Sequence, residues 1–256
     1  MELFDSHAHY NDEKFDNDRE EIIQKIYNSG VTTLVNAGYS LESSKKAIEI
    51  ANKHSFIYAT VGVSPNDIDN LNVDYIKQIE NMANEKKVVA IGEIGLDYYW
   101  NKENKEEQKK IFCEQIELAN KLNKPIVIHT REAVMDTLDI LKNKVEAKQK
   151  GVFHCCPLNP ELVKEALKLG FYISFAGPVT FKSSKNAEDV VKLVPLDKIL
   201  IETDSPYLSP EPVRGTRNDS RNVIHIAEKI ACIRGITLEE IANITFKNAK
   251  SIFKID

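Results

Sequence analysis

The sequence predicts an α/β fold, a (β/α)8 TIM barrel, on three observations. Eight apolar runs of about four to six residues recur along the chain, at 2–6, 32–37, 57–62, 88–92, 125–128, 151–154, 171–175 and 199–202. Each is followed by a helical segment, and no Pro/Gly/Ser-rich linker intervenes, so residues 1–256 read as a single domain. The runs are near-continuous β-branched or aromatic stretches, such as Pro125-Ile-Val-Ile128 and Lys198-Ile-Leu-Ile201, which suit a parallel sheet buried on both faces. Barrels of about 250 residues are routine. The alternative, an open doubly wound sheet, wants a glycine-rich phosphate loop after its first strand, where His7-Ala-His9 stands instead.

The helical segments follow in order. Ile22, Ile23 and Ile26 mark the first, Ala47, Ile48 and Ala51 the second, and Ile76, Ile79 and Met82 the third. Ile111, Ile116, Leu118, Ala119 and Leu122 define a long fourth. Asn159-Pro160-Glu161 offers an N-cap, a proline at the first helical position and an acid in the first turn. Thr237 and Glu240 have capping-box spacing, and Gly30, Gly170 and Gly235 stand where helices should end. Cys113 and Cys232 fall within amphipathic patterns and read as small core residues. His54, at the end of the second helix, and His225, in the eighth helical pattern, read as structural.

Composition narrows the function. With 42% apolar and 29% charged residues and no apolar run near the length of a membrane span, the chain reads as a globular protein with no membrane segment and no large disordered tail. A net charge of −5 argues against long-range grip on a duplex, whose affinity comes from neutralising phosphates. The four cysteines show no C-x-x-C spacing, and neighbouring Cys155 and Cys156 are poorly placed to bridge each other. Met1-Glu2 is acidic and no long apolar run follows it, unlike a cleaved leader. Reduced thiols without a leader predict the cytoplasm.

In a barrel, chemistry belongs at the C-terminal ends of the strands. On one strand, His7 and His9 point to the same face about 7 Å apart and converge on one spot. The other strand ends supply Glu93, His129, His154 and Glu202-Thr-Asp204. Four of the six histidines and two carboxylates that follow apolar runs would thus meet at one rim. No lysine or arginine stands beside Glu93 or Asp204 in sequence, so a cation is the partner these carboxylates call for. Six ligands exceed what one catalytic zinc takes, which favours two divalent metals about 3.5–4 Å apart. Glu93, midway round the rim, is the candidate bridge. Asp204 completes the first site and can orient or deprotonate water.

These residues carry a resemblance. His7-Ala-His9, the segment from Gly92-Glu93 to Trp100, Ile128-His-Thr-Arg131, Phe153-His-Cys155 and the run from Glu202-Thr-Asp204 to Leu208 are similar to the signature motifs of the TatD family. Members are metal-dependent deoxyribonucleases of the amidohydrolase superfamily. The resemblance spans residue 3 to about 253, with five motifs in order. It implies a TIM barrel of the metallo-dependent hydrolase type, hydrolysis of DNA with exonuclease activity known among members, and the ligands His7, His9, Glu93, His129, His154 and Asp204. Three segments depart from the family pattern. Ser64-Pro-Asn66 stands where many members have His-Pro-His, Cys156-Pro-Leu158 where Phe-Ser-Gly is usual, and Val213 where histidine is common.

Around this centre, Arg131 lies on the same face as His129 and can hold a phosphate bidentately. Arg214, Arg217 and Arg221 form a basic loop after the eighth strand, and Lys182 follows the seventh. Tyr98, Tyr99 and Trp100 can stack on bases or cover the fourth loop. The expected enzyme is a monomeric exonuclease acting on single-stranded or frayed DNA ends, with Mg2+ or Mn2+ ahead of Zn2+. Two alternatives stand beside it: a deacylase, amidase or lactonase on the same site, and a non-enzymatic metal- or nucleic-acid-binding protein.

Overall fold

The computed structural model describes residues 1–69, 71–146 and 150–256. Eight strands pair in parallel in sequence order. They are β1 (Leu3–Ala8), β2 (Val31–Ala37), β3 (Ile57–Val61), β4 (Val88–Asp97), β5 (Ile126–Arg131), β6 (Gly151–Phe153), β7 (Tyr172–Phe175) and β8 (Ile199–Ile201). Between them run α1 (Arg19–Asn28), α2 (Leu41–Lys53), α3 (Tyr75–Ala83), α4 (Lys105–Leu122), α5 (Val134–Lys144), α6 (Pro160–Lys168) and α7 (Ala187–Leu193). Two helices follow β8, α8 (Val223–Arg234) and α9 (Leu238–Phe253). The ring closes just past β1 and β8. There Asp204 N–H donates to the His7 carbonyl at 2.9 Å and His9 N–H to the Ser205 carbonyl at 2.7 Å. The Ser6 hydroxyl adds a bond to the Ile201 carbonyl at 2.9 Å. An unreversed strand order that returns to its start is the (β/α)8 barrel that the sequence predicts.

The expected punctuation is in place. The Asn159 side chain accepts from the N–H groups of Glu161 and Leu162. Thr237 and Glu240 form the reciprocal capping box of α9. That helix closes the lower end of the barrel: Phe246 and Phe253 pack on Phe4, with ring centroids 5.8 and 6.1 Å away. Phe4 belongs to an inner layer with Val35, Ala90, Val127, Val152 and Leu200. Each large apolar side chain so buried contributes about 1.5–3 kcal/mol. The cysteine expectation is corrected: Cys232 is exposed and Cys113 half-buried. In α8 the core stripe is Val223, Ile226, Ala227, Ile230 and Ala231, and Cys232 lies one step off it. Among the described residues, no helix is long and apolar enough to cross a membrane.

Two register shifts aim the functional side chains. Alternation sends successive residues to opposite faces of a strand. In β1, Leu3 packs outward and Phe4 inward, yet even-numbered Ala8 also packs outward. The register against β2 shifts between Asp5 and Ala8, and this resets the alternation so that His7 and His9 point inward above Phe4. In β4, Ala90 is inward and Ile91 outward, whereas Ile94 and Leu96 are outward after a shift between Ile91 and Ile94. Glu93 and Asp97 therefore face the interior. β4 also runs on to Asp97 instead of ending at residue 92. Gly95 permits this: its φ is +146°, and a Cβ there would lie 1.9 Å from the His129 carbonyl oxygen.

Candidate metal centre

The six expected ligands come together at the C-terminal rim. His7 Nε2 and His9 Nε2 are 3.1 Å apart and face Asp204 Oδ1 at 3.8 and 3.2 Å. Glu93 lies between the two histidine pairs. Its Oε2 is 3.4 Å from His7 Nε2 and 3.6 Å from His9 Nε2. Its Oε1 is 3.0 Å from His129 Nδ1 and 3.3 Å from His154 Nε2. In the sets His7/His9/Asp204 and His7/Glu93/His154, all donor atoms lie within 4.8 Å of one another. That spread suits ligands about 2.0–2.2 Å from a shared ion.

A second layer orients the rings. His9 Nδ1–H donates to the Ala37 carbonyl at 3.0 Å, which leaves the Nε2 lone pair facing the cluster. His129 Nε2–H donates to Asp97 at 2.9 Å, which turns Nδ1 toward Glu93. Asn66 and the backbone N–H groups of Tyr99 and Trp100 hold Asp97 in turn. Glu202 Oε1 accepts from Cys155 N–H at 2.6 Å and lies 3.3 Å from His154 Nδ1, outside hydrogen-bond geometry. Asp5 bonds Thr203 through both its backbone N–H and its hydroxyl, tying the strand that carries His7 to the segment that carries Asp204. Burial pushes the Asp5 carboxyl up to about 7. The strand-end pattern gives Asp97 no role, and Glu202 only a place at the strand end. The alternation 93, 95, 97 was the available signal for Asp97. Asp97→Ala is expected to weaken divalent-metal affinity about 10–100-fold by freeing the His129 ring, as read by calorimetric titration.

The electrostatics fit a divalent cation. Among the described residues, the ion pairs of Glu93, Asp97, Asp204 and Glu202 are all to histidines. Burial opposes charge on Glu93, but His154 and the hydrogen bond to His129 more than offset it and hold the carboxyl well below its usual range. Burial likewise opposes charge on His154, and Glu93 and Glu202 override it, raising its pKa well above normal. Burial lowers His7, and neighbouring His154 lowers it further. Against burial, the carboxylates thus raise His9, His129 and His154 but not His7, and the positive charge they call for is one a dication would supply.

A cavity of about 1050 Å³ opens over the cluster, with His9, Glu93, His129, His154 and Asp204 among its lining residues. Arg131 and Trp100 line it too. The Arg131 guanidinium stands 3.8 Å from the Tyr99 ring centroid and 5.4 Å from that of Trp100. Trp100 is 68% exposed, whereas Tyr98 is buried, with its hydroxyl on Asp136. Lys182 does not line the cavity; Lys185, further along the same loop, does. Arg214 lies over the Phe181 ring, outside the lining. Arg217 donates to both Asp18 oxygens and to the Lys14 carbonyl, and Arg221 pairs with Asp219. His54 and His225 pair with Glu20 and Glu228, away from the cluster. Arg217→Ala is expected to cost about 0.5–1 kcal/mol of stability in a denaturant titration while leaving divalent-metal affinity unchanged.

Comparison with known proteins agrees with this layout. The family model described as TatD related DNase matches residues 4–254. The metal-dependent hydrolase YabD of Bacillus subtilis is 43% identical over 254 residues, covering 99% of this chain and 100% of its own. The 3'-5' ssDNA/RNA exonuclease TatD of Shigella flexneri is 31% identical over 258 residues, covering 99% of each chain. Among solved structures, the Escherichia coli TatD homologue YjjV has the same fold, with a TM-score of 0.93 at 24% identity over 99% of this chain and 98% of its own. A match that spans almost the whole barrel, joined to histidines and carboxylates converging at its catalytic end, places this chain in the TatD-related family of metal-dependent hydrolases.

Proposed function

We propose that the chain hydrolyses DNA phosphodiester bonds from single-stranded or frayed ends, using two divalent cations, Mg2+ or Mn2+. The observation that carries this reading is Glu93, which turns one oxygen to the His7/His9 pair and the other to the His129/His154 pair. His7, His9 and Asp204 would hold one ion, His129 and His154 the other, and Glu93 would bridge them. Bound there, divalent cations polarise a phosphoryl oxygen and lower the pKa of water.

The chain's own residues supply the rest. Asp204 orients the attacking water and accepts its proton. Arg131, spread over Tyr99 and Trp100 at the cavity rim, pairs with a substrate phosphate. Lys185 joins it from the loop after β7. Trp100 gives an unpaired base a surface to stack on. The Shigella relative, named a 3'-5' exonuclease of ssDNA and RNA, supports attack at the 3' end. We take residues 1–256 as one catalytic domain working as a monomer, and the free cysteines fit a cytoplasmic, reducing setting.

The test is metal-by-metal hydrolysis of end-labelled single-stranded and duplex DNA, with an acyl ester and a lactone alongside. Faster release from single strands in Mg2+ or Mn2+ is expected. DNA left intact while the ester or lactone is cleaved would replace the nuclease with the deacylase reading.

A further inference from the structure

The two sides of the cavity differ in charge. The end of β5 and the loop after β7 contribute Arg131 and Lys185, and neither has an ion-pair partner among the described residues. The loops after β2, β3 and β8 contribute Tyr39, Asp67 and Tyr207. Asp67 is also without a cationic partner among the described residues; one of its oxygens accepts from the Ser64 hydroxyl at 2.7 Å. Behind this side, buried Asp12 accepts from the Tyr207 hydroxyl at 2.7 Å. Burial, then the charges of Asp12, Asp67, Glu13 and Glu42, push the Tyr39 hydroxyl up to about 12. Lys14 stands 4.1 Å from the Tyr207 ring centroid but is not part of the cavity wall.

A strand end presents two chemistries to such a cavity. Its internucleotide phosphates are anions and suit the Arg131–Lys185 side. Its last nucleoside is neutral when it ends in a hydroxyl, and it suits a wall of two phenol rings and a carboxylate that accepts a hydroxyl hydrogen. A terminal phosphate monoester adds about −1.5 to −2 charges at the same place. Set against Asp67, that charge is repelled.

We propose that the Tyr39–Asp67–Tyr207 wall selects strand ends bearing a free terminal hydroxyl and rejects ends bearing a terminal phosphate, with Asp67 as the specificity-determining residue. The inference rests on the nuclease reading and adds to it the chemical state of the end that is accepted. Ser64 positions Asp67 through its hydroxyl, which gives the Ser64-Pro-Asn66 segment a role without a histidine.

Single-stranded oligonucleotides of one sequence, with hydroxyl or phosphate at the 3' end and at the 5' end, test this with the full chain in Mn2+. At the attacked end, the hydroxyl form is expected to give a kcat/KM at least about tenfold above the phosphate form. Asp67→Asn should narrow that ratio to about threefold or less, and Asp67→Glu should keep it. Melting temperatures of both variants check the fold, and the wild-type ratio decides if Asp67→Asn does not fold. Equal wild-type rates, or an Asp67→Asn ratio matching the wild type, overturn the proposal and leave the nuclease reading intact. No cleavage of any end in any metal overturns both.

Discussion

Asp204→Asn is expected, on the proposed mechanism, to lower hydrolysis of single-stranded DNA by about 10³–10⁴-fold, because it removes the group proposed to accept the water proton together with one ligand charge. Asparagine is the informative replacement. Asp204 sits at φ 56°, in the left-handed region that Asp and Asn tolerate and alanine does not. The bond that closes the barrel here is donated by the residue's backbone N–H and survives the change. Single-turnover release of an end label, with circular dichroism to confirm the fold, measures the effect. A loss below tenfold would remove Asp204 from the chemistry.

Glu93→Gln is expected to be equally severe and different in kind. A carboxylate can offer a lone pair to each of two ions, whereas the glutamine amide nitrogen has hydrogens and no lone pair to give. The metal content of the dialysed protein should fall from two per chain to one or none, with activity lost by about 10³-fold or more. Elemental analysis gives the stoichiometry independently of activity. Retention of two metals would mean that Glu93 is not the bridge.

Both outcomes concern residues visible in the sequence, for a physical reason. A buried carboxylate or histidine after an apolar run breaks the pattern of its strand, and six such breaks at strand ends stand out against β-branched neighbours such as Ile126, Val127 and Ile128. Residues that act through another side chain leave a weaker trace. Asp97 matters because of a 2.9 Å bond to His129 across the β4–β5 pair; the alternation 93, 95, 97 puts it on the face of Glu93 but does not show that contact. Surface cations are harder still. Arg217 and Arg131 look alike in sequence, but one is held by Asp18 and the other faces the cavity.

The sequence by itself determined the eight βα units, the order of the ligands round the rim and the family. Periodicity, capping residues and strand-end chemistry are local properties, and each can be read within a few residues. Tertiary structure alone decided that the ligands converge. With Leu3 and Ile91 facing outward, unbroken alternation would have sent His7, His9 and Glu93 into the helix layer. The register shifts in β1 and β4 turn them inward. Register is set by the neighbouring strands, so the strand-end pattern announces His7, His9 and Glu93 as candidate metal ligands while the packing of β1 on β2 and β4 on β5 brings them together.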